Sequence, residues 1–274
     1  MRPALLTITT VLLGGVLAYF SEDFSKFLER KYGEEPVVFV HGVATTANVF
    51  VKHREYFIQH GYSPAELYAT TYGDGGLTEA FDVPILCKYI QQIRQLIIAV
   101  REYTGSKNVD VIAWSMGCAI TRKAVLGGQC HDTDEELGNP ITEYVNAFVA
   151  VGGVTYGIQG CPKNRTGCNA ISSMHCDSQL VLELNNASYR YEGTYSYAIF
   201  SCNDLVLGRD CCGSTCGDLN NANARFVRNK SGHIGIIIST LPLQYNILSK
   251  HTGQQNSSDY YAEGSAAPPY CPST

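Results

Sequence analysis

From Val109 to Gly117 the chain runs without pause from an apolar, β-branched stretch (Val109-Asp110-Val111-Ile112) into Ala113-Trp114-Ser115-Met116-Gly117. A buried strand that leads at once into a small-x-Ser-x-Gly sequence has few structural solutions. The one with a mechanical reason behind it is a nucleophile elbow, a sharp strand-to-helix turn that exposes a serine hydroxyl above the end of a sheet. The serine then holds a strained backbone conformation, so the residues two before and two after it must be small. Gly117 meets that demand outright and Ala113 meets it with one extra methyl, while residues 118–126 supply a helix-like continuation.

The rest of the chain reads as strands and helices in alternation. Pro36-Val37-Val38-Phe39-Val40 is a continuous apolar run closed by His41-Gly42, the pattern of a strand buried on both faces. A helix is expected over residues 46–60, a second strand over 66–71, and a turn at Gly73-Asp74-Gly75-Gly76. Residues 81–103 form an amphipathic helix, with Ile85, Tyr89, Ile93, Ile97 and Val100 recurring at helical spacing. Further strands are expected at 144–151 and 195–200, and a weaker one at 225–227. A closing helix follows over 234–248, with Pro242 near its start or at a kink. This alternation predicts an α/β fold: a mainly parallel sheet with helices on both faces and disulfide-rich loops. Right-handed crossovers then line successive strand ends along one edge, where open α/β sheets carry their chemistry.

A chain of 274 residues with net charge −5 lacks the basic cluster that nucleic acid requires. Arg2, the apolar run over 4–17 and the small-residue ending Val16-Leu17-Ala18 predict a signal peptide over residues 1–18, cleaved before Tyr19. An uncleaved anchor is the alternative; after cleavage no stable membrane anchor is expected. The expected organisation is a single α/β domain over 19–250 and a polar tail over 251–274, pinned by Cys271. Eleven cysteines in an exported chain read as a disulfide framework with one thiol left over, assigned to Cys118. A metal site at Cys211, Cys212 and Cys216 is the rival reading, but the segment lacks a paired C-x-x-C. Sequons at Asn164, Asn186, Asn229 and Asn256 fit a secreted glycoprotein. A glycan at Asn229, just before His233, would crowd the expected site.

A serine needs a histidine as general base, and the histidine needs an acid that fixes its tautomer. In an elbow fold both come later in the chain, in the order Ser, Asp or Glu, His. Among His131, His175, His233 and His251, only His233 lies in a loop between a strand and the final helix. Asp204 follows the strand at 195–200 after a short turn, with Asp210 and Asp177 as the other candidates. The oxyanion donors are expected to be the backbone N–H groups of Met116 and Val43, the latter in the loop after the first strand. His41, which precedes the serine, is read as structural.

Taken together, Pro36–Gly42, Val109–Gly117, Asn203-Asp204 and Gly232-His233 resemble the class 2 lipase family. The resemblance runs from Pro36 to Leu248, and the alanine at the first elbow position is typical of its small members. It implies a compact α/β-hydrolase that cleaves carboxylic esters, including acylglycerols, with no cofactor; no residue is assigned as a metal ligand. It carries the nucleophile onto Ser115, the acid onto Asp204, the base onto His233 and the oxyanion donors onto Val43 and Met116. The cysteine-rich stretches 161–175 and 211–216 exceed the minimal bacterial pattern and suit the secreted nematode branch. The expected function is a secreted serine ester hydrolase whose partner is a lipid or small ester substrate at a lipid–water interface. A short-chain carboxylesterase and a non-catalytic binding protein on the same scaffold are the alternatives.

Overall fold

The computed structural model describes residues 35–250 and 271. The expected signal segment, His251 and the tail apart from Cys271 lie outside the described residues.

The apolar runs become the strands of a six-stranded sheet: β1 (Val37–Val40), β2 (Leu67–Ala69), β3 (Val109–Trp114), β4 (Val145–Val151), β5 (Tyr195–Phe200) and, last in the chain, β8 (Ala224–Val227), in the order β2-β1-β3-β4-β5-β8. Every pairing is parallel. A short antiparallel hairpin, β6 (Asp210–Cys211) and β7 (Ser214–Thr215), stands apart from it. The helices are α1 (Val51–Gln59), α2 (Cys87–Thr104), α3 (Met116–Leu126), α4 (Gln179–Asn186), α5 (His233–Ser239) and α6 (Leu241–Lys250).

Because side chains alternate along a strand, the sheet feeds two separate cores. Val38, Val40, Val111, Ala113, Phe148, Ala150, Ala198 and Phe200 face α2, α3 and α4, where Ile90, Ile93, Ile97, Ile120 and Leu180 cover them. Val37, Phe39, Ile112, Trp114, Val149, Val151 and Ile199 face the other way, onto Phe57 of α1 and Ile236, Leu243 and Ile247 of α5 and α6. Each of the valine, leucine, isoleucine and phenylalanine side chains among them contributes about 1.5–3 kcal/mol by leaving water. Burial on both faces is why these strands read as unbroken apolar runs.

Several boundaries differ from expectation. Helix α2 begins at Cys87 rather than 81, after a 3-10 turn at Ala80–Asp82 and Pro84. Its first N–H is capped by the carboxylate of Asp132, 3.0 Å away and distant in sequence. Ile85, counted as part of the helical stripe, is buried ahead of the helix, its backbone paired with Ser172. The closing helix is two helices, broken at Thr240, whose hydroxyl turns back onto the Ile236 carbonyl at 2.6 Å. Pro242 sits in the first turn of α6, where its missing N–H costs nothing. The strand expected over 66–71 is the three-residue β2, and the helix expected over 46–60 opens as a 3-10 turn before α1. Helix α4 and the β6–β7 hairpin were not expected.

Five disulfides join Cys87 to Cys130, Cys161 to Cys168, Cys176 to Cys212, Cys202 to Cys271 and Cys211 to Cys216. Cys118 is the free thiol, fully buried, as expected. Adjacent Cys211 and Cys212 go to different partners, and with Cys216 also bridged the metal-ligand reading of that segment fails.

Candidate active site

The parallel register brings the strand ends level. Val40 lies beside Ala113, Trp114 beside Val151, Val151 beside Ile199, and Phe200 beside Val227. The segments leaving β1, β3, β5 and β8 carry Gly42, Ser115, Asp204 and His233 respectively.

Ser115 has φ 56° and ψ −129°, a positive-φ conformation for a residue with a Cβ. Strain of this kind costs about 1–3 kcal/mol and persists only where the surroundings over-determine it. Here the Ser115 N–H donates to the Val151 carbonyl at 3.2 Å, and its own carbonyl accepts from the N–H groups of Cys118 and Val154, both at 3.0 Å. The elbow also dictates its neighbours. A Cβ on Gly117 would lie 2.4 Å from the His41 carbonyl oxygen and 2.7 Å from that of Val40, so no side chain fits. A Cβ on Gly42 would fall 2.8 Å from that of Ser115, which places the loop after β1 directly against the serine.

The three sequence candidates meet. His233 Nε2 lies 2.9 Å from Ser115 Oγ, and His233 Nδ1 lies 2.7 Å from Asp204 Oδ2. Asp204 is buried, and its other oxygen, Oδ1, accepts the backbone N–H groups of Val206 and Leu207 at 2.9 Å each. With a carboxylate as acceptor, Nδ1 carries the imidazole proton and Nε2 presents its lone pair to the serine hydroxyl. His233 is the first residue of α5.

The rival candidates are engaged elsewhere. Asp210 is exposed and caps the Gly213 N–H, and exposed Asp177 pairs with Lys163 at 3.1 Å. His131 bonds Glu183 at 2.9 Å, and His175 Nδ1 accepts the Asp177 N–H at 3.0 Å.

Val43 and Met116 flank the serine by chain position, one following Gly42 and the other opening α3. N–H groups in the first turn of a helix have no intrahelical acceptor, and that of Met116 is one of them. His41 holds the opposite loop. Its Nδ1 donates to the Gly42 carbonyl at 2.7 Å, its Nε2 accepts the Tyr72 N–H at 3.1 Å, and its ring stacks on Tyr72 with centroids 4.1 Å apart. Burial pulls its pKa below the usual histidine value, so it serves as a neutral brace.

One neighbour escaped sequence reasoning. The indole N–H of Trp114 donates to the His233 backbone carbonyl at 3.2 Å. Its position beside Ser115 was plain from the sequence, but a contact across 119 residues carries no local signal.

The parallel sheet covered on both faces, with a serine raised on a strained turn after its third strand, defines an α/β-hydrolase. The chain belongs to the class 2 lipase family, whose sequence model matches residues 34–246. Among solved structures it is similar to lipase B of Aspergillus fumigatus, at 16% identity and a TM-score of 0.53, over 79% of this chain and 52% of that one. It thus spans about half the length of that lipase. It is also similar to the mature form of the Bacillus licheniformis lipase BlEst2, at 14% identity and a TM-score of 0.55, over 80% of this chain and 93% of that one. The Paleococcus ferrophilus monoacylglycerol lipase matches at 10% identity and a TM-score of 0.52, over 81% and 97% of the two chains. At such identities the likeness is one of fold.

Proposed function

We propose that this chain is a secreted serine hydrolase that cleaves lipid carboxylic esters through Ser115, His233 and Asp204. The observation that carries the reading is the unbroken hydrogen-bonded line from Asp204 through His233 to Ser115. His233 Nε2 takes the Ser115 hydroxyl proton as Oγ attacks the acyl carbon. The resulting oxyanion is held by the N–H groups of Val43 and Met116. Collapse breaks the ester C–O bond, and His233 returns the proton to the departing alcohol. A water molecule then gives its proton to His233, attacks the acyl-serine and releases the carboxylic acid with Ser115 restored. No step calls on a cofactor.

A fluorophosphonate probe, which reports an activated serine without the natural substrate, tests the reading. The full-length protein is expected to label stoichiometrically, with the adduct mapped to Ser115 by peptide mass spectrometry. No labelling would favour the non-catalytic binding scaffold.

A lipid–water interface is supported by the rim of the site. Leu205, next to Asp204, is 96% exposed, and Ile234, next to His233, is 73% exposed. Leu77, 91% exposed, belongs to the turn whose Gly76 packs on Ala44, beside Val43. Water-facing aliphatic side chains on the segments that carry the catalytic set suit contact with an acyl-rich surface. Leu205→Ser is expected to lower the rate on emulsified long-chain triacylglycerol about tenfold, as the loss of one buried aliphatic contact implies. Hydrolysis of a soluble short-chain ester should stay within about twofold. An equal, small effect on both substrates would favour the short-chain carboxylesterase.

Five disulfides support an oxidising compartment, in keeping with the signal peptide read at residues 1–18. Among the described residues no helix is long and apolar enough to cross a membrane. The sequon asparagines Asn164 and Asn186 are exposed, as glycan acceptors must be.

A further inference from the structure

Trp114 ends β3 and is almost wholly buried in the core shared with α5 and α6. Its indole has two edges, and each meets a different part of the site. One edge lies under the loop after β1, where a Cβ on Gly42 would come 3.0 Å from Cε3 and 3.2 Å from Cζ3. From the other, Nε1–H donates to the His233 carbonyl at 3.2 Å, and the indole and imidazole centroids are 5.6 Å apart. The backbone of Ser115 follows directly. One rigid ring therefore spans the loop that carries Val43 and the turn that carries His233, with the nucleophile attached to its own backbone.

We infer that Trp114 is a positioning residue: its indole N–H fixes the His233 main chain, and so sets the approach of Nε2 to Ser115 Oγ. This rests on the reading of Ser115, His233 and Asp204 as the catalytic set. The imidazole itself is tied only at its ring, by Asp204 on one side and Ser115 on the other. Those bonds hold the ring and not the main chain, which at His233 is the first residue of the seven-residue helix α5, entered through Gly232. The Trp114 bond restrains that backbone from within the core. A proton transfer along a 2.9 Å line is sensitive to small displacements of the base, which converts a modest hydrogen bond into a rate effect.

The alternative is that the indole only fills space, its N–H taking the nearest acceptor as buried tryptophans do. The two are separable because the chain contains one tryptophan. Biosynthetic replacement of tryptophan by 3-benzothienylalanine alters this side chain alone, keeping the ring shape and exchanging N–H for sulfur. The full-length protein is the test material, with kcat expressed per fluorophosphonate-titrated site. The analogue is expected to lower both kcat on a soluble ester and the rate constant of fluorophosphonate labelling by about three- to tenfold, the effect of one net neutral hydrogen bond. KM should be unchanged, and the thermal midpoint should fall by no more than about 3 °C. Trp114→Phe, which also loses ring area, should lower both rates further.

Unchanged kcat and labelling rate in the analogue would overturn the proposal, as would an effect confined to KM or to thermal stability. Wild-type protein that fails to label at Ser115 would instead bring down the catalytic reading itself, and the positioning role with it.

Discussion

Ser115→Ala is expected to lower kcat on a soluble ester by about 10⁶-fold, the scale on which loss of the nucleophile cripples serine hydrolases that work through such a triad. The fold should survive the change. Ser115 makes no side-chain cap at the start of α3, and its strained turn is held by backbone hydrogen bonds that alanine retains. The thermal midpoint should therefore stay within about 2 °C, a shift of about 1 kcal/mol or less for a chain of this size. Steady-state kinetics with a chromogenic ester, alongside a melting curve, measure both. A variant that is folded and keeps its activity would remove Ser115 from the reaction.

Asp204→Asn should cost about 10⁴-fold in kcat through the tautomer of His233. The geometry explains why the amide has no favourable way to turn. Oδ1 accepts two backbone N–H groups, from Val206 and Leu207. An amide oxygen must stay there, because an NH₂ group would face two donors. The NH₂ then points at His233 Nδ1, which has to become the acceptor, and the imidazole proton moves to Nε2. A protonated Nε2 facing Ser115 cannot take the hydroxyl proton. The variant should remain folded, and KM should change little. Near wild-type turnover would transfer the acid's role elsewhere, although Asp210 and Asp177, the other sequence candidates, are exposed and already engaged.

Much of this arrangement was legible because strands buried on both faces leave unbroken apolar runs, and because the serine turn admits only small neighbours. Val37–Val40, Val109–Trp114 and Val145–Val151 announce themselves. The residues just past their ends are then the natural places to look for chemistry, and Ser115, Asp204 and His233 do converge. What escaped was set by contacts between distant segments. The start of α2 depends on Asp132, far along the chain, accepting the Cys87 N–H. The break at Thr240, by contrast, was legible: Pro242 has no N–H to continue the preceding helix and sits in the first turn of α6, as expected. Helix α4 did carry a local signal, Ser178 capping the Val181 N–H ahead of buried Leu180, Val181 and Leu184, but it lay among cysteines and glycines that read as loop. Partner choice among the cysteines, with Cys211 and Cys212 diverging to Cys216 and Cys176, has no one-dimensional signature.

The unpaired Cys118 has a consequence for maturation. An odd thiol among five bridges is a standing threat, since a thiolate can attack a finished disulfide and scramble the set. Cys118 sits on the first turns of α3, fully enclosed, with its S–H directed at the Ala113 carbonyl at 3.1 Å. Burial pushes its pKa up to about 12. At neutral pH only about one molecule in 10⁵ would carry the reactive anion, behind a wall of packed side chains. The helix that raises the serine into use therefore sequesters the thiol three residues on, and the finished cross-links are protected from exchange by the same packing that builds the elbow.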